Sequence, residues 1–149
     1  MSAKTRAELT AEIAQRTGID DAMIDRLVRV FYERARDDAL LGPVFSSRIA
    51  DDAWEPHIER ICAFWSSVAL MTGVYHGQPM ELHVGLAIDS RHFNRWLDLW
   101  AETARDICPQ AAADHFIESA ERIAKSLELG IAARRGIHLA PGERLPSSG

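Results

Sequence analysis

The strongest constraint in this chain is a spacing. Ile24, Leu27, Val28, Phe31, Tyr32 and Ala35 recur at i, i+3, i+4, i+7, i+8 and i+11, a single apolar stripe along one helix. The opposite face carries Asp25, Arg26, Arg29, Glu33 and Arg36. The same period returns in Ile58, Ile61, Cys62, Trp65, Val68 and Ala69, which predicts a helix over 54–71. It returns again in Phe93, Trp96, Leu97, Trp100 and Ala104, and in Phe116, Ile117, Ala120, Ile123, Ala124 and Leu127. Sustained two-residue alternation is missing, as are Asn-Gly and Asp-Gly hairpin turns between β-branched runs. The chain reads as all-α.

Local signals punctuate these stripes. Thr5 and Glu8 are spaced as a capping box for a first helix, which Gly18 closes. Asp20 or Asp21 caps the second, and Gly42-Pro43 is read as its stop, because proline lacks an amide and restricts the residue before it. A polar turn is expected over 46–52. Gly73, Gly77 and Pro79 leave room for only a short helix around Met80 to Leu86. Ser90 is read as the cap of the next helix, Pro109 as part of the first turn of the last, and Gly130 as its end. This divides the chain into an N-terminal helical extension (1–19), one helical domain (20–131) and a mobile tail (132–149).

At 149 residues the chain is long enough to bury roughly 70% of its unfolded surface without disulfides or a structural metal. A formal charge of −5 argues against a nucleic-acid partner, and no run approaches the ~20 apolar residues of a membrane span. The N-terminus lacks the apolar core of a signal peptide. Cys62 and Cys108 form neither a CxxC nor a disulfide framework and suit a reducing compartment, so a cytoplasmic location is expected.

The common catalytic signatures are missing: no HExxH, no phosphate-binding GxxxxGK[ST], no GxSxG elbow and no paired Glu-x-x-His. What remains is six histidines and four tryptophans on a helical scaffold. His57 lies near the start of the 54–71 helix, and His83 lies in the short helix between Leu82 and Val84. Taken singly, each is more often a surface or satisfied core histidine than a ligand. Jointly they admit a second reading, in which one imidazole enters an apolar slot and a polar gate faces it, as a haem requires. Tyr32 and Trp96 each carry a polar tip that needs a partner when buried, and on pattern alone core packing with that tip satisfied is the favoured reading of both.

Five strings then occur in order: FYERARDDALLGPVF (31–45), WEPH (54–57), FW (64–65), GQPMELH (77–83) and HFNRW (92–96). Their order and spacing resemble the third class of bacterial truncated haemoglobins over residues 20 to 130. The resemblance implies a two-over-two helical sandwich around haem b, iron protoporphyrin IX, with an extra N-terminal helix. It implies His83 as the proximal iron ligand and Tyr32, His57 and Trp96 as the distal polar groups. Phe45, Ile61, Leu82 and Phe93 are expected to pack on the porphyrin, and Arg60 to reach a propionate. The helix near 5–17 and the tail beyond 133 lie outside the family pattern.

Such a protein is expected to bind oxygen, carbon monoxide or nitric oxide. Hydrogen-bond donors stabilise a bound gas that takes on negative charge, and tight binding suits ligand chemistry better than bulk delivery. The same pocket would serve a redox enzyme, peroxidase-like or nitric-oxide-detoxifying, with hydrogen peroxide as a further reactant and an outside reductase as partner. A haem-free helical interaction module, with both histidines structural, is the third reading.

Overall fold

In the computed structural model, which describes residues 3–77, 83 and 86–146, the described elements are six α-helices with no strand among them. They are α1 (Arg6–Thr17), α2 (Asp21–Asp37), α3 (Gly42–Arg48), α4 (Trp54–Leu70, entered through a 3-10 turn, Asp51–Ala53), α5 (Ser90–Ile107) and α6 (Gln110–Arg134). Among the described residues no helix is long and apolar enough to cross a membrane.

Side-chain caps account for several helix ends. The Thr5 hydroxyl accepts the Glu8 amide at 3.1 Å, and Gly18, at φ 75°, donates its own amide to Ala14 O. The Asp20 carboxylate accepts the Met23 amide at 2.8 Å at the start of α2. The α2 stripe is then buried along its whole length. Several boundaries differ from the sequence pattern. The second helix stops before Gly42-Pro43, at Asp38, whose carboxylate accepts the amides of Leu40 and Leu41. Gly42-Pro43 instead opens α3, where a proline in the first turn forfeits no bond, so part of the predicted polar turn is helical. Burial works against the Asp38 charge, yet the Leu41 amide, the Arg95 guanidinium and the Leu40 amide together hold its carboxyl below the usual range.

The cap of α5 is Asp89 rather than Ser90. Its carboxylate accepts the Arg91 amide at 2.9 Å, and its own amide donates to His92 Nδ1 at 3.1 Å. Pro109 sits just before α6 instead of inside its first turn. Gly130 does not end α6; the helix runs one turn further. Ile131 and Ala132 are 0% and 1% exposed, and their burial outweighs the ~1 kcal/mol that a helical glycine costs. Within the stretch expected as a tail, residues 135–146 fold back, and Leu145 is 1% exposed among Ile88, Phe93, Ala124, Ile131 and Ala132. Of the short helix expected around 80–86, His83 has helical conformation, and residues 80–82 and 84–85 lie outside the described residues.

Helices α2 and α4 form one pair and α5 and α6 the other; α2 also crosses α5, and α3 packs on α2. This is the two-over-two sandwich. The extra helix α1 lies on α4 and α6, with Ile13 and Ala14 packed on the core. At the centre is Trp100, 1% exposed, its indole N–H donated to Phe116 O at 3.1 Å. Trp65 of α4 stacks on it at 4.3 Å and 14°, and Trp96 lies nearly parallel to it at 6.0 Å and 12°. Phe31 of α2 meets Trp100 edge-on at 5.1 Å.

The α2–α3 corner gives a direct test. A Cβ added at Gly42 would lie 2.5 Å from the Arg36 carbonyl oxygen, a backbone atom with no room to retreat. Gly42→Ala is expected to lower unfolding free energy by about 1–3 kcal/mol in urea titrations; an unchanged midpoint contradicts this packing.

Candidate functional site

One cavity opens between the two helix pairs. About 930 Å³ there is free of protein atoms, a space that includes open solvent at its mouth. Helices α2 to α4 supply Tyr32, Val44, Phe45, Ile61, Phe64 and Trp65, and Leu41 comes from the turn before α3. The chain between α4 and α5 supplies Tyr75, His83, Leu86 and Ile88. Helices α5 and α6 supply His92, Phe93, Trp96, Ile123, Ala124 and Leu127. The wall is mostly apolar, with a few polar tips from side chains far apart in sequence.

Of the residues singled out from the sequence, Tyr32, Phe45, Ile61, His83, Phe93 and Trp96 line this cavity. Leu82 lies outside the described residues. His57 and Arg60 are not in the lining. Arg60 is exposed on α4. His57 sits beside the cavity, its ring 5.5 Å from Tyr32 and 5.6 Å from Trp54, both edge-on. Phe45 completes this group, 5.4 Å from Tyr32 and 5.9 Å from Trp54. The Arg36 guanidinium lies 4.3 Å over the Trp54 ring.

Sequence periodicity alone also pointed inward for Trp65, Ile123, Ala124 and Leu127, without marking them as cavity wall. Tyr75 carries no local signal, because it reaches the cavity from a loop, and Leu41 was visible only within the 31–45 string. His92 was visible only as part of the HFNRW string. It is doubly placed, holding the Asp89 amide on Nδ1 while its ring reaches the cavity.

Burial decides the electrostatics. It pushes the Tyr32 phenol far above its usual range, with a smaller push from Cys62, so the hydroxyl stays protonated and remains a donor. Burial also lowers His57, and the Arg60 charge and the nearness of His83 add to that, so the imidazole is neutral near pH 7. Its Nε2 is enclosed with no hydrogen-bond partner among the described residues. An unmade bond of this kind costs about 1–3 kcal/mol. Cys62 packs beside this region with Sγ 3.9 Å from Asp25 Oδ1; burial, then Asp25, pushes its thiol up to about 11.

Among the described residues no three His, Cys, Asp or Glu side chains are grouped to hold a bare metal ion. Of the two histidines in the lining, His92 already holds the Asp89 amide on Nδ1, and His83 is the one imidazole donor that suits an iron already carrying four porphyrin nitrogens. The residues present fit that group.

No family model matches the chain. It is 31% identical over 113 residues to a group 3 truncated haemoglobin of Campylobacter jejuni, an alignment spanning 74% of this chain and 89% of that protein. The crystal structure of the group III truncated haemoglobin from Campylobacter jejuni superposes with a TM-score of 0.69 at 31% identity, covering 73% of this chain and 88% of that one.

The raised thiols yield a prediction. Cys108 is also pushed up by burial, so at pH 8 both cysteines of the folded protein are expected to alkylate about tenfold or more slowly than in urea, measured by mass spectrometry. Rapid labelling of Cys62 in the folded state contradicts the placement beside Asp25.

Proposed function

Because this chain belongs to the group III truncated haemoglobins and is a globin-type haem protein, we propose that it binds diatomic gases (oxygen, carbon monoxide, nitric oxide) on a haem b held by His83. The observation that carries this reading is the joint lining of one apolar cavity by His83, Tyr32 and Trp96. Haem, when bound, supplies an iron that takes up small gases and exchanges electrons. The chain's own residues decide how firmly a gas is held.

His83 is the proximal ligand in this reading. Phe45, Ile61 and Phe93, which line the cavity, exclude water and grip the macrocycle through apolar contact. Arg60, exposed on α4, serves a propionate at the cavity mouth. Tyr32 offers a phenol that burial keeps protonated, and Trp96 offers an indole N–H that can only donate. Both donate to a gas that gains negative charge on binding. Charge-assisted bonds of this type contribute about 1.5–3 kcal/mol each.

His57 favours a second reading of the same pocket. A neutral imidazole with an enclosed, unpartnered Nε2 beside Tyr32 is suited to take a proton at that atom and later return it. That is the task a distal base performs on a peroxide, and turnover then requires electrons from an outside reductase.

Purified protein is expected to be red, with a carbon-monoxide difference spectrum after reduction. His83→Ala is expected to lose stable haem, and His83→Gly to regain it with added imidazole; full occupancy and unaltered proximal coordination in His83→Ala overturn the assignment. Tyr32→Phe and Trp96→Phe are each expected to speed oxygen release by about tenfold, the equivalent of ~1.4 kcal/mol, in stopped-flow measurements. An unchanged release rate in both removes them from the site. For the redox reading, His57→Gln is expected to slow the reaction with hydrogen peroxide strongly, and an unaffected rate excludes it.

A further inference from the structure

Residues 135–146 lie beyond the stretch that carries the family resemblance, yet they are tied to the segment that follows His83. Arg135, at the C-terminal end of α6, donates from Nη2 to Leu86 O at 2.9 Å and from Nη1 to Ile88 O at 3.0 Å. The Leu86 amide in turn donates to His83 O at 3.1 Å. One guanidinium therefore holds two carbonyls between His83 and the start of α5, and the first belongs to the residue bonded to the histidine's own backbone. Arg135 is itself fixed, its amide donating to Ile131 O and Ala132 O, both at 3.1 Å.

The rest of the segment closes over the same place. The Ser90 amide donates to Leu145 O at 3.3 Å, and the Leu145 side chain packs with Ile88 and Phe93, both cavity-lining residues. The buried Glu128 carboxylate anchors this end: it accepts Leu145 N–H at 2.8 Å and Arg144 Nε at 2.9 and 3.0 Å. The Arg135 bonds and the Leu145 carbonyl thus engage the backbone over 86–90, while Glu128 ties the far end of the segment to α6. A clamp at that position holds the backbone that leads from His83 into α5.

We propose that residues 135–146 form a strap that sets the placement of the His83 imidazole, with Arg135 as its positioning residue. The proposal rests on His83 being the iron ligand. An imidazole held by a fixed backbone presents one distance and tilt to the metal, and a loosened backbone presents a spread of them.

The test uses full-length holoprotein carrying Arg135→Gln, Arg135→Lys or Arg34→Gln. The last removes the exposed α2–α5 pair of Arg34 with Asp106 and serves as a control for general stability. Two quantities are read: the rate of haem transfer to excess apomyoglobin, and the iron–imidazole stretching band of the reduced, gas-free protein by resonance Raman. Arg135→Gln is expected to lose haem several-fold faster and to shift or broaden the band. Arg135→Lys is expected to fall between it and the unaltered protein, and Arg34→Gln to leave the band in place. If Arg135→Gln does not fold, Leu145→Ala loosens the same strap and is read identically. An unmoved band and rate in Arg135→Gln, or equal changes in Arg34→Gln, overturn the strap. Undiminished haem in His83→Ala overturns the coordination reading instead, so the two failures are told apart.

Discussion

Trp100 is the residue on which the two helix layers are registered. Its indole is buried, bonded to a carbonyl of α6, and stacked on Trp65 of α4. Phe31 of α2 closes against it edge-on, so four helices meet at one side chain. Aromatic pairs at these separations contribute about 0.5–1.5 kcal/mol each beyond their burial, and their preferred angles restrict how the helices may slide. Trp65 and Trp96, which both lie parallel to Trp100, also form part of the cavity wall. The cavity is therefore bounded by the same contacts that hold the sandwich together.

That arrangement explains how a chain of this size keeps an apolar cleft open. Interiors ordinarily close to near-crystalline density, and an unfilled space is costly unless the surrounding helices resist collapse. Here one wall is braced by the tryptophan stack and another by Leu145 behind Ile88 and Phe93. The charges are kept away from the cleft: Arg95 pairs with Asp38, Arg144 with Glu128, and Arg91 with Asp89. What is left facing inward is apolar surface with a few hydrogen-bonding tips.

Much of this was legible in the chain, and what was not has physical reasons. The stripe from Ile24 to Ala35 announces α2 because a helix that buries one face needs that period. Tyr32, Phe45, Ile61, Phe93, Trp96 and His83 do meet in one cavity. Periodicity alone, however, could not separate wall from core, and it was the order of the motif strings that marked them. Gly130 misled because the burial of Ile131 and Ala132 depends on Leu145, a contact made only after the chain has folded back. Asp89 took the capping role from its neighbour Ser90 through a reciprocal bond with His92, which spacing leaves ambiguous by one residue. Tyr75 and Leu41 arrive from loops, where no period exists to be read.

The enclosed Nε2 of His57 has a consequence for how surroundings and folding are linked. An imidazole nitrogen shut away from water, with no partner among the described residues, is a cost that the rest of the fold must offset. A side chain of similar shape that asks for no such bond would remove that cost, so this one position weighs on how well the fold resists heat.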